Sequence, residues 1–181
     1  MTSSSTPLAG LFLVVIDDSQ EAEIALRFAC RLAQIGEARV ALLRIIEPET
    51  FEHWIAVAER AREEAIVEAE ALLMRKAEVV QQLTGKMPLV FVREGHKRKA
   101  LIDLLQETEA VRGLVLATAL GDNPGPLVSA VHHITAEAGT PVTLVPGSLS
   151  DQAVDLCVLG KVSAEAQIAA APQDRDDPHA A

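Results

Sequence analysis

Short runs of largely apolar residues recur along the chain, with a segment of helical periodicity between each run and the next. The runs are LFLVVI at 11–16, RVALLRII at 39–46, LVFV at 89–92, LVLA at 114–117 and PVTLV at 141–145. They are too short for helices and are apolar at most successive positions. That is the pattern of strands covered on both faces rather than on one. A helix between each pair of strands makes the order β-α-β-α-β-α-β-α-β. Right-handed crossovers then give an α/β fold, a doubly wound five-stranded parallel sheet with helices on both faces. In such sheets ligands sit outside the C-terminal ends of the strands, where the strand order reverses. Asp17, Asp18, Ile46, Gly95 and the 118–126 loop belong to that edge.

The first helix is read over 20–35, from Ala22, Ala25, Leu26, Ala29, Leu32 and Ala33 at helical spacing. Asp18 or Ser19 can cap its start, Glu21 suits its first turn, and Gly36 stops it. A long helix spans about 53–83, with Ala58, Ala61, Ala65, Ala69 and Leu72 on one stripe and Trp54 anchoring its start. A third helix covers 97–109 and a fourth 127–138, the latter ended by Gly139. Met74 and Met87 read as core gap-fillers. The domain is expected over 10–147, after a flexible leader at 1–9. A C-terminal extension at 148–160 adds a short helix or turn. Residues 161–181 lack apolar periodicity and read as a disordered tail.

Charge narrows the function classes. A net charge of −10 argues against nucleic acid, whose phosphates require a basic face. No apolar run reaches the length of a membrane span, and the first residues lack the basic flank and apolar core of a signal peptide. Cys30 and Cys157 have no metal-like spacing and read as reduced thiols of a cytoplasmic protein. Neither a nucleophile elbow, a metal-ligand spacing nor a Walker A motif is present, so no catalytic or metal-binding residue is assigned.

The stretch VVIDDSQ at 14–20 ends a strand in two acids and a hydroxyl. Receiver domains of response regulators hold Mg²⁺ with such acids. They also need an Asp after the third strand and a Lys-Pro after the fifth, whereas this chain has VREG and LVPGS there. A degenerate receiver remains the third-ranked reading. LFLVVIDDSQEAEIALRFACRLAQ, ARVALLRIIEP and GTPVTLVP together resemble the universal stress protein family, over about residues 10–147. The resemblance implies that Asp17 and Ile45 contact the adenosine part of a nucleotide. It also implies that Asp18 stands where glycine is common and caps the helix.

For the phosphates the resemblance implies a G-x-x-G, nine residues, G-[ST] loop after the fourth strand. Here Thr118 falls near the first glycine, Gly121 and Gly125 survive at shifted offsets, and Val128 precedes the retained Ser129. Thr118 to Val128 spans ten steps, about three fewer than the family spacing. Glycines let backbone N–H groups approach phosphate, Val obstructs that approach, and Pro124 and Pro126 each remove a donor. Two readings therefore stand: an adenine-nucleotide sensor binding ATP or a relative, or a protein that has lost its ligand and acts through an unidentified protein partner. In both, the resemblance implies a homodimer through the fifth strand.

Two basic features accompany these. His132 and His133 project about 100° apart on a helix, one exposed and one toward the sheet. GHKRK at 95–99 either steers a phosphate or is a solvated helix start. The tail yields a test. Deleting residues 161–181 leaves the melting temperature unchanged; a fall of more than about 5 °C in a thermal melt, on the order of 1 kcal/mol or more, shows that the tail docks.

Overall fold

The computed structural model describes residues 10–48, 55–119 and 124–160. The leader, Trp54, Gly121 and the tail at 161–181 lie outside the described residues. Eleven elements follow in order: β1 (Leu11–Val15), α1 (Gln20–Ile35), β2 (Arg39–Ile46), α2 (Ile55–Thr84), β3 (Leu89–Glu94), α3 (Lys97–Glu107), β4 (Val111–Thr118), α4 (Pro126–Ser129), α5 (Val131–Ala138), β5 (Val142–Pro146) and α6 (Asp151–Leu159). The strands form one sheet in the order β3-β2-β1-β4-β5, and every neighbouring pair is parallel. The doubly wound α/β architecture read from the apolar runs is the one observed.

Side chains of β1 alternate between two cores. Val14 and the following Ile16 join Leu42, Val115 and the inner faces of α1 and α2, among them Leu26, Ala29, Leu73 and Val80. Leu13 points the other way, onto Leu43, Leu114, Leu101 and Leu104 of α3 and Ile134 of α5. Leu13 pairs with Ala41 on one side and Leu114 on the other. No position of β1 meets solvent on both sides, which is why its sequence carries no alternation.

Several local expectations are corrected. Gly36 does end α1, as expected, but with an ordinary φ of −92°, and its N–H donates to the Leu32 carbonyl. The left-handed residue is Glu37, at φ 51°. Space at Gly36 is tight, since a Cβ there would lie 3.2 Å from the Leu32 oxygen. The helix expected over 127–138 is broken at Ala130, whose φ of −98° and ψ of 8° separate α4 from α5. His132 and His133 are both exposed, their ring centroids 3.8 Å apart, and Ile134 takes the buried position. Met74 and Met87 are exposed by 55% and 47%, so neither fills the core. Cys30 is buried, and burial pushes its thiol up to about 12 against the opposing pull of Arg31 and Arg27, while Cys157 is exposed.

The segment after β5 is built as firmly as the rest. Ser150 caps α6 by accepting from the Ala153 N–H, and Gly160 closes it at φ 66°. Val154 and Asp155 are fully buried against α1. The Asp155 carboxylate receives 2.7 Å bonds from Arg31 Nε and Arg27 Nη2, with longer second bonds from each guanidinium. Arg27 also reaches Asp151 at 3.1 Å. A buried carboxylate is tolerable only when its lone pairs are filled, and here two guanidinium groups fill them. Asp155→Ala deprives Arg31 of its acid and detaches α6. Urea denaturation is expected to show a loss of about 3–5 kcal/mol; a loss under about 1 kcal/mol shows that the ion cluster does not hold the helix.

Candidate functional site

At the C-terminal edge of the sheet, the chain leaves β1 toward β2 on one side and β4 returns on the other. The two crossovers depart to opposite faces and leave a gap above the strand ends. The gap is a cleft of about 720 Å³. Its floor is the ends of β1, β2 and β4, including Ile16, Ile45, Leu116 and Ala117. Its walls are the β1–α1 turn, one side of α2, and the segment from Pro124 to Val128.

Helix length builds the α2 wall. Thirty residues of helix extend roughly 45 Å, whereas β2, with eight residues, extends only roughly 27 Å. The lower half of α2 packs on the sheet through Leu73, Ala77 and Val80. Along one side of the helix, Ala65, Glu68, Ala69, Ala71, Leu72 and Arg75 line the cleft. An ion pair between Arg62 and Glu94 at the end of β3 braces the overhang, with contacts of 2.5 and 2.7 Å. The Arg62 guanidinium holds the Glu94 carboxyl below its usual range.

The two acids after β1 have different duties. Asp17 Oδ1 accepts from the Ser19 N–H at 3.0 Å and from the Ser19 hydroxyl. Ser19 Oγ in turn accepts from the Ala22 N–H, so Ser19, not Asp18, caps α1. The expectation that Asp18 is the cap is therefore corrected. The chain is extended at Ser19, and its side chain, not that of Asp18, reaches the first turn. Asp18 pairs with Arg44 Nη2 at 2.8 Å. Asp17 is thus held in place through Oδ1, while its Oδ2 has no donor among the described residues.

Arg44 escaped the sequence reading. Its guanidinium also donates to the Ile16 carbonyl at 3.3 Å, and the side chain is only 23% exposed. The signal was present: a charged residue at an inward-facing position of RVALLRII. Strand periodicity alone gave it no partner.

The expected phosphate end is less complete. Gly125 lines the cleft together with Asp17 and Ile45, and it holds a φ of 91° that favours glycine. Val128 also lines the cleft, with its side chain packed on the second core. Thr118 and Ser129 do not line it. The Thr118 carbonyl accepts from the Gly147 N–H, and a Cβ on Gly147 would lie 2.3 Å from that oxygen. The Ser129 hydroxyl turns back to donate to the Gly125 carbonyl at 2.9 Å. Gly121 lies outside the described residues. The helix that follows, α4, has four residues and starts with Pro126, so it presents few N–H groups.

Charge in the cleft is mainly acidic. Asp17, Asp18, Glu21, Glu47 and Glu68 face Arg44, Arg75 and Lys97. Lys97, from the basic run at 95–99, pairs with Glu47 at 3.2 Å, and Lys99 pairs with Asp103 along α3. The run is therefore partly neutralised. Among the described residues, no group of three acids, histidines or cysteines could hold a metal ion. Nor is any helix among them long and apolar enough to cross a membrane.

Comparison with known proteins supplies the remaining observations. The sequence profile of the Universal stress protein family matches residues 11–146. No curated protein matches significantly by sequence. The universal stress protein UspA from Lactobacillus plantarum superposes with a TM-score of 0.63 at 17% identity, covering 75% of this chain and 97% of that one. A universal stress protein in complex with cAMP superposes at 0.58 and 18%, over 78% and 99% of the two chains. One from Archaeoglobus fulgidus in complex with dAMP gives 0.56 and 18%, over 76% and 98%. At these identities the likeness speaks to the fold.

Proposed function

The chain belongs to the universal stress protein family, and from that premise we propose that it is a cytosolic, non-catalytic binding protein of the stress response. Its cleft takes the nucleoside part of an adenine nucleotide and holds a triphosphate weakly or not at all. One observation carries the reading: among the described residues, the nucleoside half of the cleft is furnished and the triphosphate half is not. Asp17 is pinned through Oδ1, which leaves Oδ2 to accept a hydroxyl. Ile45, Leu116 and Ala117 offer an apolar floor for a base. Against that, the Ser129 hydroxyl is engaged, Pro124 and Pro126 carry no N–H, and Val128 occupies a glycine position of the family loop. Two structural neighbours were solved with cAMP and with dAMP, each of which carries one phosphate.

Titration calorimetry with adenosine, AMP and ATP tests this. Adenosine and AMP are expected to saturate, with ATP weaker than AMP. Loss of a hydrogen bond to a charged acceptor costs about 1.5–3 kcal/mol, so Asp17→Ala weakens adenosine roughly ten-fold to a hundred-fold. Ser129→Ala leaves binding unchanged. ATP binding tighter than AMP, and sensitive to Ser129→Ala, overturns the reading in favour of a triphosphate sensor.

A second proposal concerns assembly. β5 is an edge strand, and its Leu144 is 43% exposed. An unpaired edge bearing an apolar side chain is a liability in a monomer, which supports a homodimer formed through β5. Light scattering at micromolar concentration is expected to give the dimer mass, and Leu144→Lys the monomer mass. A monomer mass for the unaltered protein ends the proposal.

A further inference from the structure

Among the described residues, three cations line the cleft, and they are not equivalent. Arg44 is consumed by Asp18 and the Ile16 carbonyl, and Lys97 by Glu47. Arg75 is exposed, and no ion pair or hydrogen bond joins it to a described residue. Its neighbour Lys76 turns instead to Glu23 in the first turn of α1. The α2 wall therefore presents one uncommitted guanidinium to a cleft whose other described cations are spent.

Arg75 also comes from the opposite layer to the family's phosphate loop. Leu72 and Leu73, just before it on α2, pack in the core shared with α1. Leu127 and Val128 pack in the core on the other face of the sheet. Resting on the nucleoside reading above, we propose that Arg75 is the residue that sets the ligand's charge. It holds a single phosphate from the α2 side of the cleft, in place of the Gly125–Ser129 side. A planar guanidinium can give two parallel N–H bonds to two oxygens of one phosphate. The same wall carries Glu68, which has no cation within ion-pair distance among the described residues, and the β1 turn carries Asp17. Added phosphates therefore meet carboxylates and find no further cation among the described residues. The cleft selects a nucleoside monophosphate over both the uncharged nucleoside and the triphosphate.

The test compares adenosine with AMP by titration calorimetry, on the unaltered protein and on Arg75→Gln and Arg75→Lys. The side chain is exposed, so neither variant disturbs folding, and a thermal melt verifies this. AMP is expected to bind at least about ten-fold tighter than adenosine, the scale of one charge-assisted contact. Arg75→Gln abolishes the difference and leaves adenosine affinity unchanged. Arg75→Lys keeps part of it, because a point charge replaces the fork. The advantage of AMP also shrinks as salt rises, as it must for an exposed pair. If adenosine binds and the AMP advantage survives Arg75→Gln, the role of Arg75 is overturned while the nucleoside reading stands. If neither ligand saturates the unaltered protein, both fail together.

Discussion

The double burial of β1 governs the rest of the molecule. Val14 and Ile16 are committed to one core and Leu13 to the other, while β2 and β4 take the backbone bonds on either side. A strand so enclosed has no freedom except at its ends. Its C-terminal end is where the chain must turn abruptly from apolar surroundings into water, and where its two neighbours diverge. Asp17, Asp18 and Ser19 occupy that point. The cleft exists because the sheet reverses its order beside β1, and the polar turn is at its mouth because β1 can end nowhere else.

The turn is engineered twice over. Asp17 and Ser19 lock each other and start α1, and Asp18 holds Arg44 across the mouth. Both acids therefore have structural work without any ligand. A carboxylate fixed through one oxygen is also a preorganised acceptor through the other, since its orientation cost is met during folding. Stability and binding thus draw on the same residue, and the α2 overhang closes the site only because that helix outruns the sheet.

Residues beyond the part matched by the family profile also belong to the folded body. The family match ends at residue 146, yet α6 buries Val154 and Asp155 against α1. Asp155 meets Arg27 and Arg31 from successive turns of α1, and that fork-to-carboxylate geometry is more selective than apolar contact alone. Cys30, adjacent to Arg31, is sealed in the same region, and its raised thiol is a consequence of that burial.

The sequence by itself determined the alternation of strands and helical crossovers, the parallel sheet and the boundaries of α1, though not the break at Ala130 that splits the last crossover into α4 and α5. Those depend on local periodicity, which each segment carries without reference to the others. It also set Asp17, Ile45 and Gly125 at the right edge, since strand ends are legible from where the apolar runs stop. It could not decide which partner a polar side chain takes. Ser19 rather than Asp18 as the cap, Arg44 on Asp18, Ser129 turned onto Gly125, and Met74 facing water each depend on a neighbour or an angle that no local pattern encodes. Arg27 and Arg31 look like solvated helix charges until Asp155, well over a hundred positions away, arrives between them. Only tertiary structure brings such distant charges to hydrogen-bond distance. It likewise separates Arg75, left without a described partner, from the cations that found one.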